Sequence, residues 1–243
     1  LASTDNIFMG YDAGGGTWTD AASSLNVGIG NYALDGPMAG ALGNTALGHQ
    51  ALSSITSAGN NVGIGKDSAD ALTTGANNVA VGAFALSTAT DVEYTVAIGG
   101  NALNALNHGD ADGTIAIGYA ALKDLTSGQK NIAIGYLAMQ DITTGDQNIA
   151  IGYRAMEDTD AGVNSNNSTS NIFIGVKSGG GQWADVASDS NTAIGSYTMD
   201  AVMSGANNNT ALGYQALSAL TAGDGNIAIG YQAYDGADTE NDN

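Results

Sequence analysis

The chain has 243 residues, among them 36 glycines, one proline and no cysteine, and 24 acidic side chains against five basic ones give a formal net charge of −19. That charge argues against nucleic acid, whose phosphates recruit lysine and arginine, and against docking on an anionic membrane surface. Without cysteine there is no disulfide framework or thiolate chemistry, and no apolar run approaches the roughly 20 residues of a spanning helix, so membrane insertion is not expected.

The sequence opens at Leu1 without an initiator methionine or a basic-then-apolar leader, as expected of a processed product or a piece of something longer. From Asn6 onward one short unit recurs. Its core reads Asn-Ile-Ala-Ile-Gly at Asn131–Gly135, Asn148–Gly152 and Asn226–Gly230. The closing glycine falls at Gly10, Gly30, Gly48, Gly65, Gly82, Gly99, Gly118, Gly135, Gly152, Gly175, Gly195, Gly213 and Gly230, thirteen copies with a basic spacing of 17 residues and occasional insertions. Internal repetition of this kind marks a solenoid.

The columns of the repeat predict its local structure. The residue before the glycine is always aliphatic (Met9, Ile29, Leu47, Ile64, Val81 and onward) and the residue three before it is Ile, Val or Thr. Between them stands Ala or Gly, except at Phe8 and Phe173. This period-two alternation of β-branched and small residues predicts a strand, whose large aliphatics are expected to form the core face that stacking buries. The glycine supplies the turn out of the strand. Four residues before it stands asparagine in eleven copies, replaced by Thr95 and Thr114 in the other two. Stacked in register, Asn44, Asn61, Asn78, Asn131, Asn148, Asn171, Asn191, Asn209 and Asn226 are expected to form an amide ladder, with a flat ligand-binding face as the competing reading. After the glycine come a small residue, then usually Leu or Met, then a second aliphatic (Leu125, Ile142, Leu220) leading into Thr-Ser-Gly or Thr-Thr-Gly. A second short strand and a turn are expected there; one helical turn also fits. The whole is an all-β parallel β-solenoid (β-roll) of about 13 coils over residues 1–243, with coils about 4.8 Å apart.

A longer period overlies the short one. Asn6–Gly65 aligns without gaps on Asn171–Gly230, offset by 165, with 32 of 60 positions identical. This defines a super-repeat over 6–170 and a partial copy over 171–243. Both copies carry three glycines before a tryptophan, Trp18 and Trp183. These indoles either cover the coil near Phe8 and Phe173 or meet a subunit or a sugar. Tyr119, Tyr136 and Tyr153, and again Tyr214 and Tyr231, occupy one column. Such a stripe covers a turn, seals a chain–chain contact or binds glycans.

Catalytic constellations are missing. His49 and His108 lie several coils apart, and there is no Gly-x-Ser-x-Gly elbow or phosphate loop, so no enzyme and no cofactor are expected. Asp110 and Asp112 form the best candidate for Ca²⁺, against a solvated Asp/Gly turn. Glu157, Asp158 and Asp160 and the tail from Asp235 are further acidic clusters.

The Asn-x-Ala-Ile-Gly core followed by Tyr-x-Ala-Leu, nearly complete at Asn209–Leu217, resembles the head repeats of trimeric autotransporter adhesins and equally the repeat shafts of phage tail fibres. The resemblance covers almost the whole chain. It implies a left-handed parallel β-roll, three chains packed side by side, and attachment to host surfaces from an extracellular, cell-surface or virion location. The coils here are longer than the adhesin unit, and no coiled-coil stalk or membrane anchor is read within these 243 residues. The leading expectation is therefore a structural and adhesive fibre segment, a homotrimer with a cell-surface or glycan receptor. The alternative is an extracellular filament of chains stacked end to end, because an open coil edge recruits strands. An ice- or glycan-binding solenoid ranks third.

Overall fold

Each repeat core forms a three-residue strand that the following glycine ends. The computed structural model describes residues 3–19, 21–106, 111–157, 167–181, 183 and 186–236, and among these there are thirteen strands, one per repeat. Seven lie in a first compact unit, Leu1–Tyr119: β1 (Ile7–Met9), β2 (Val27–Ile29), β3 (Thr45–Leu47), β4 (Val62–Ile64), β5 (Val79–Val81), β6 (Val96–Ile98) and β7 (Ile115–Ile117). Six lie in a second, Ala120–Asn243: β8 (Ile132–Ile134), β9 (Ile149–Ile151), β10 (Ile172–Ile174), β11 (Thr192–Ile194), β12 (Thr210–Leu212) and β13 (Ile227–Ile229). The fold is the parallel β-solenoid that the repeat predicts. Strands pair in parallel with their repeat columns aligned, as in Ile7↔Val27, Phe8↔Gly28 and Met9↔Ile29 or Ile149↔Ile172, Ala150↔Phe173 and Ile151↔Ile174. Coils are numbered here by the strand they carry.

The glycine column ends the strands for two reasons at once. Gly65 has φ +128°, a region that side chains avoid. A Cβ placed there would also lie 2.7 Å from the carbonyl carbon of Gly82 in the next coil. Glycine stacks directly on glycine in the same way at Gly48 on Gly65, Gly135 on Gly152 and Gly195 on Gly213.

The core lies on the opposite face of the strand from the one expected. The small middle residue points inward: Ala46, Ala80, Ala97, Ala116, Ala133, Ala150 and Ala193 are fully buried. The flanking aliphatics point outward and are half-buried or exposed, Leu47 by 46% and Leu212 by 44%. The reason is the width of the coil. A 17-residue turn leaves an interior that alanine fills opposite two large columns from the other wall, the Leu or Met four residues after the glycine (Leu52, Leu86, Leu122, Met139) and the second aliphatic (Ile55, Leu72, Leu125, Ile142), all fully buried. Isoleucine facing inward from the strand as well would overfill it.

The segment after the glycine forms neither the expected second strand nor a helical turn. It runs as successive turns with left-handed residues at its second and fourth positions, such as Gln50 (φ 55°) and Leu52 (φ 51°), or Leu137 (φ 57°) and Met139 (φ 51°). Their N–H groups point to opposite neighbours: Gln50 donates to the Asn31 carbonyl of the preceding coil (2.9 Å) and Leu52 to the Ser68 carbonyl of the following one (3.0 Å). A left-handed leucine costs on the order of 1–2 kcal/mol. Burying its side chain recovers about 1.5–3 kcal/mol, and the hydrogen bonds to both neighbours hold the conformation.

Candidate functional site

The asparagine column is an internal spine. Asn61 donates its backbone N–H and its Nδ2 to Asn44 Oδ1 (3.0 and 3.1 Å), and its Nδ2 also donates to the Gly75 carbonyl (2.9 Å). The same set recurs at Asn44 on Asn26, at Asn78 on Asn61, at Asn191 on Asn171 and at Asn209 on Asn191. Asn171 stacks likewise on Asn148. Asn148 and Asn226 donate their backbone N–H groups to Asn131 and Asn209 (2.9 Å each). These side chains are buried, and an amide whose donors and acceptor are spent inside the fold offers a ligand nothing. Where threonine replaces asparagine, Thr95 still donates its N–H to Asn78 Oδ1 (2.9 Å) while its hydroxyl turns to its own coil at the Glu93 carbonyl (3.2 Å).

A second ladder was not foreseen. Two residues before the asparagine or its threonine substitute, a side-chain oxygen accepts the backbone N–H of the same position one coil earlier. Glu93 donates to Asp112 Oδ1 (2.7 Å), Gln129 to Asp146 (2.7 Å), Thr169 to Asp189 (2.7 Å), Asp189 to Asn207 (2.8 Å) and Asn207 to Asp224 (2.8 Å). Its sequence signal is a column of Asp and Asn, blurred in the early coils by Leu42, Gly59 and Ala76. Asp112, singled out for Ca²⁺, thus spends Oδ1 on coil-to-coil bonding; its partner Asp110 lies outside the described residues. Glu157 is buried and paired with Arg154, which raises the guanidinium pKa above its ordinary value through that hydrogen bond; Asp158 and Asp160 lie outside the described residues. Among the described residues no group of three or more acidic or histidine side chains is placed to hold a metal ion. His49 Nδ1 stands 3.6 Å from Asp67 Oδ1, and Lys66 Nζ stands 3.0 Å from Asp67 Oδ2. His108 lies outside the described residues.

The aromatic residues divide into two sets. Trp183 is buried, donates Nε1 to the Gly179 carbonyl (2.9 Å) and meets Phe173 edge-on at 5.6 Å. Trp18 repeats this on Gly14 (3.0 Å) and Phe8 (5.7 Å) but stays half-buried. Both indoles cover their own coil, as the first of the two readings expects. The tyrosines are on the surface. Tyr136 and Tyr153 stack with centroids 5.7 Å apart and planes 12° apart, and Tyr214 and Tyr231 do so at 5.6 Å and 11°. Tyr197 extends the second stack edge-on to Tyr214. Tyr119 is exposed.

The remaining surface of note is the outward face of the strands. Its two columns, represented by Val62 and Ile64 in β4 and by Ile149 and Ile151 in β9, contain only Ile, Val, Leu, Met and Thr in all thirteen coils. None of the 24 acidic residues falls in them. Each unit therefore presents an uncharged, largely aliphatic strip, with the turn tyrosines one residue beyond the glycine. No family model matches this chain, and a comparison with curated proteins finds no match.

Proposed function

We propose that the chain is a segment of a non-enzymatic structural and adhesive fibre, in which copies pack side by side through the outward aliphatic strips, outside a cell or on a virion. One observation carries this reading: columns of Ile, Val, Leu, Met and Thr, uncharged in every coil, face outward from strands whose inward residue is Ala or Gly in all coils but two. Contiguous apolar surface of this kind is rare on a solitary soluble molecule and marks a contact. A three-fold arrangement is the one that the adhesin-like repeat favours. The acidic residues, excluded from the strips, keep assembled fibres soluble and apart. We assign attachment to a surface glycan to the stacked tyrosines, exposed one residue beyond the repeat glycine.

The test is mass in solution. Sedimentation equilibrium of the wild-type chain is expected to give three chain masses. Ile134→Lys with Ile151→Lys, placing charge on the strip and leaving the core untouched, is expected to give one chain mass with an unchanged circular dichroism spectrum. A monomeric wild type overturns the proposal. For the attachment role, Tyr136→Ser with Tyr153→Ser should abolish glycan-array binding without altering mass.

A further inference from the structure

We infer that the tyrosine column is a site of oxidative cross-linking within the chain: phenoxyl radicals formed on Tyr136 and Tyr153 couple ring to ring and join coil 8 covalently to coil 9, and Tyr214 and Tyr231 do the same for coils 12 and 13. The co-reactant is a haem peroxidase with hydrogen peroxide, which comes from outside the chain. The inference is independent of side-by-side packing and of glycan attachment.

The backbone sets these rings one above another. Gly152 donates its N–H to the Ile134 carbonyl (2.8 Å) and Arg154 to the Tyr136 carbonyl (3.0 Å). The two bonds flank Tyr153 and keep it in register with Tyr136 at the coil spacing of about 4.8 Å. Gly230 to Leu212 and Gln232 to Tyr214 (2.8 Å each) bracket Tyr231 in the same way. Side chains that leave one column in one direction then stack. The ring centroids lie 5.7 Å apart for Tyr136 and Tyr153 and 5.6 Å apart for Tyr214 and Tyr231, with planes 12° and 11° from parallel. All four tyrosines are exposed, so an oxidant reaches them and the rings have room to turn.

The chemistry follows from the stacking. Removing one electron and the hydroxyl proton from each phenol leaves phenoxyl radicals with spin density on the ring carbons ortho to oxygen. Two such carbons form a bond, and each then passes its hydrogen to its own oxygen, which restores both aromatic rings. The electrons and protons removed reduce hydrogen peroxide to water: two tyrosines and one peroxide give one dityrosine and two waters. Holding the partners together turns a bimolecular encounter into a unimolecular one. A chain without cysteine also has no thiol to reduce the radicals first.

The column separates pairs that couple from pairs that do not. Tyr214 has two ring neighbours. Tyr231 shares its place, one residue after the repeat glycine, and stacks on it. Tyr197 stands two residues after its glycine, at φ 58°, and meets Tyr214 edge-on, with 71° between planes and 5.9 Å between centroids. In the first unit Tyr11 and Tyr32 differ in the same way and meet at 77°. Parallel rings of one column turn the same ring atoms toward each other, whereas an edge-on pair sets the edge of one ring against the face of the other. Coupling therefore belongs to the stacked pairs.

The test treats the dilute wild-type chain with a haem peroxidase and hydrogen peroxide. The product is then digested at aspartate, which cuts between the members of every pair (Asp12, Asp141 and Asp146, Asp200, Asp224). Expected are dityrosine fluorescence, a denatured mass of one chain less the hydrogens lost, and linked peptides joining Tyr136 to Tyr153 and Tyr214 to Tyr231. Tyr153→Phe keeps the ring and removes the phenol; it should delete the first link and spare the second, and Tyr214→Phe should do the reverse. With Ile134→Lys and Ile151→Lys added, both links should persist, which separates the inference from contacts between copies. The cross-linked chain should melt above an equally oxidised Tyr136→Phe, Tyr214→Phe chain, since a bond between neighbouring coils restricts the unfolded state. Links found only between chains, a Tyr197–Tyr214 link as abundant as the Tyr214–Tyr231 link, or equal melting of the oxidised wild type and the double variant overturns the inference.

Discussion

Asn78 donates its backbone N–H (2.9 Å) and its Nδ2 (3.1 Å) to the single Oδ1 of Asn61, which is itself tied to Asn44 and Gly75. One side chain thus links three consecutive coils. Because the contacts of a solenoid are between neighbours, removing one such amide strands groups on both sides of it.

Asn61→Leu is expected to cost on the order of 1–3 kcal/mol, since buried donors of Asn78 and the Gly75 carbonyl lose their partner. Asn61→Thr should cost less, because threonine occurs natively at Thr95 and Thr114 and its hydroxyl finds an acceptor in its own coil. Denaturant unfolding ranks the two. Hydrogen exchange should show protection lost first at Val79 and Val62, the strand starts on either side. Equal stability of the leucine variant and the wild type would mean that the ladder contributes no net free energy.

Gly65→Ala and Gly236→Ala separate position from residue type. At Gly65 the added Cβ meets the next coil at 2.7 Å on a backbone with φ +128°; at Gly236 nothing among the described residues lies within 4 Å. The first is expected to cost more than about 3 kcal/mol, among the large values known for single substitutions, and the second to lie within about 0.5 kcal/mol of wild type. Thermal melts followed by circular dichroism check both.

The coil count, the register and the asparagine spine were legible in the sequence, because glycine and asparagine mark backbone positions that few other residues tolerate. The facing of the strand was not. Large–small–large alternation, as in Ile132-Ala133-Ile134, says that the two faces differ, and burial preference then assigns the large residues to the core. Only the width of the coil, set by Leu125 and Met139 across the interior, reverses that assignment. The left-handed leucines were hidden for a related reason. Leu52 at φ 51° violates local preference, and the hydrogen bonds that hold it come from other coils. The side-chain bonds two residues before the asparagine, as at Asp112 in the first unit and Asp224 in the second, carry a weak signal because more than one short side chain with an oxygen serves in them.

Acid should stabilise the fold through one column. Asp35, Asp70 and Asp200 all stand five residues after a repeat glycine, and burial, first among the causes, raises each carboxyl above the ordinary 3.8. Asp70 Oδ1 is buried without a hydrogen-bond partner. A carboxyl whose pKa is higher in the folded chain binds its proton more tightly there. Its contribution to stability is therefore full below 3.8 and is lost as pH rises through the folded value. Asp70→Asn with Asp200→Asn is expected to melt above the wild type at pH 7, with the gap closing as pH falls toward 3.8. Calorimetry across that range checks it, and a gap that widens on acidification would contradict the assignment.

The two phenylalanines of the strand column explain the two glycines that face them. Everywhere else that column is Ala or Gly, and the residue four after the repeat glycine is large in most coils; where Phe8 and Phe173 enter, that residue is Gly14 and Gly179. A Cβ on Gly179 would lie 2.5 Å from Phe173 Cδ1, and one on Gly14 would lie 2.7 Å from Phe8 Cδ1. The ring occupies the space that Met139 fills in coil 8, so the two positions share one volume. Ala133→Phe alone should therefore overpack coil 8 by about 1–3 kcal/mol, and Met139→Gly alone should leave a cavity costing about 2–5 kcal/mol. Together they exchange one large side chain for another across the same interior. The double variant is expected to be more stable than the sum of the single effects allows, by at least about 1 kcal/mol of coupling. A double-mutant cycle in urea measures this directly. Additive losses would mean that the ring and the methionine do not compete for one site, and that the volume rule drawn for the whole core fails at its most demanding position.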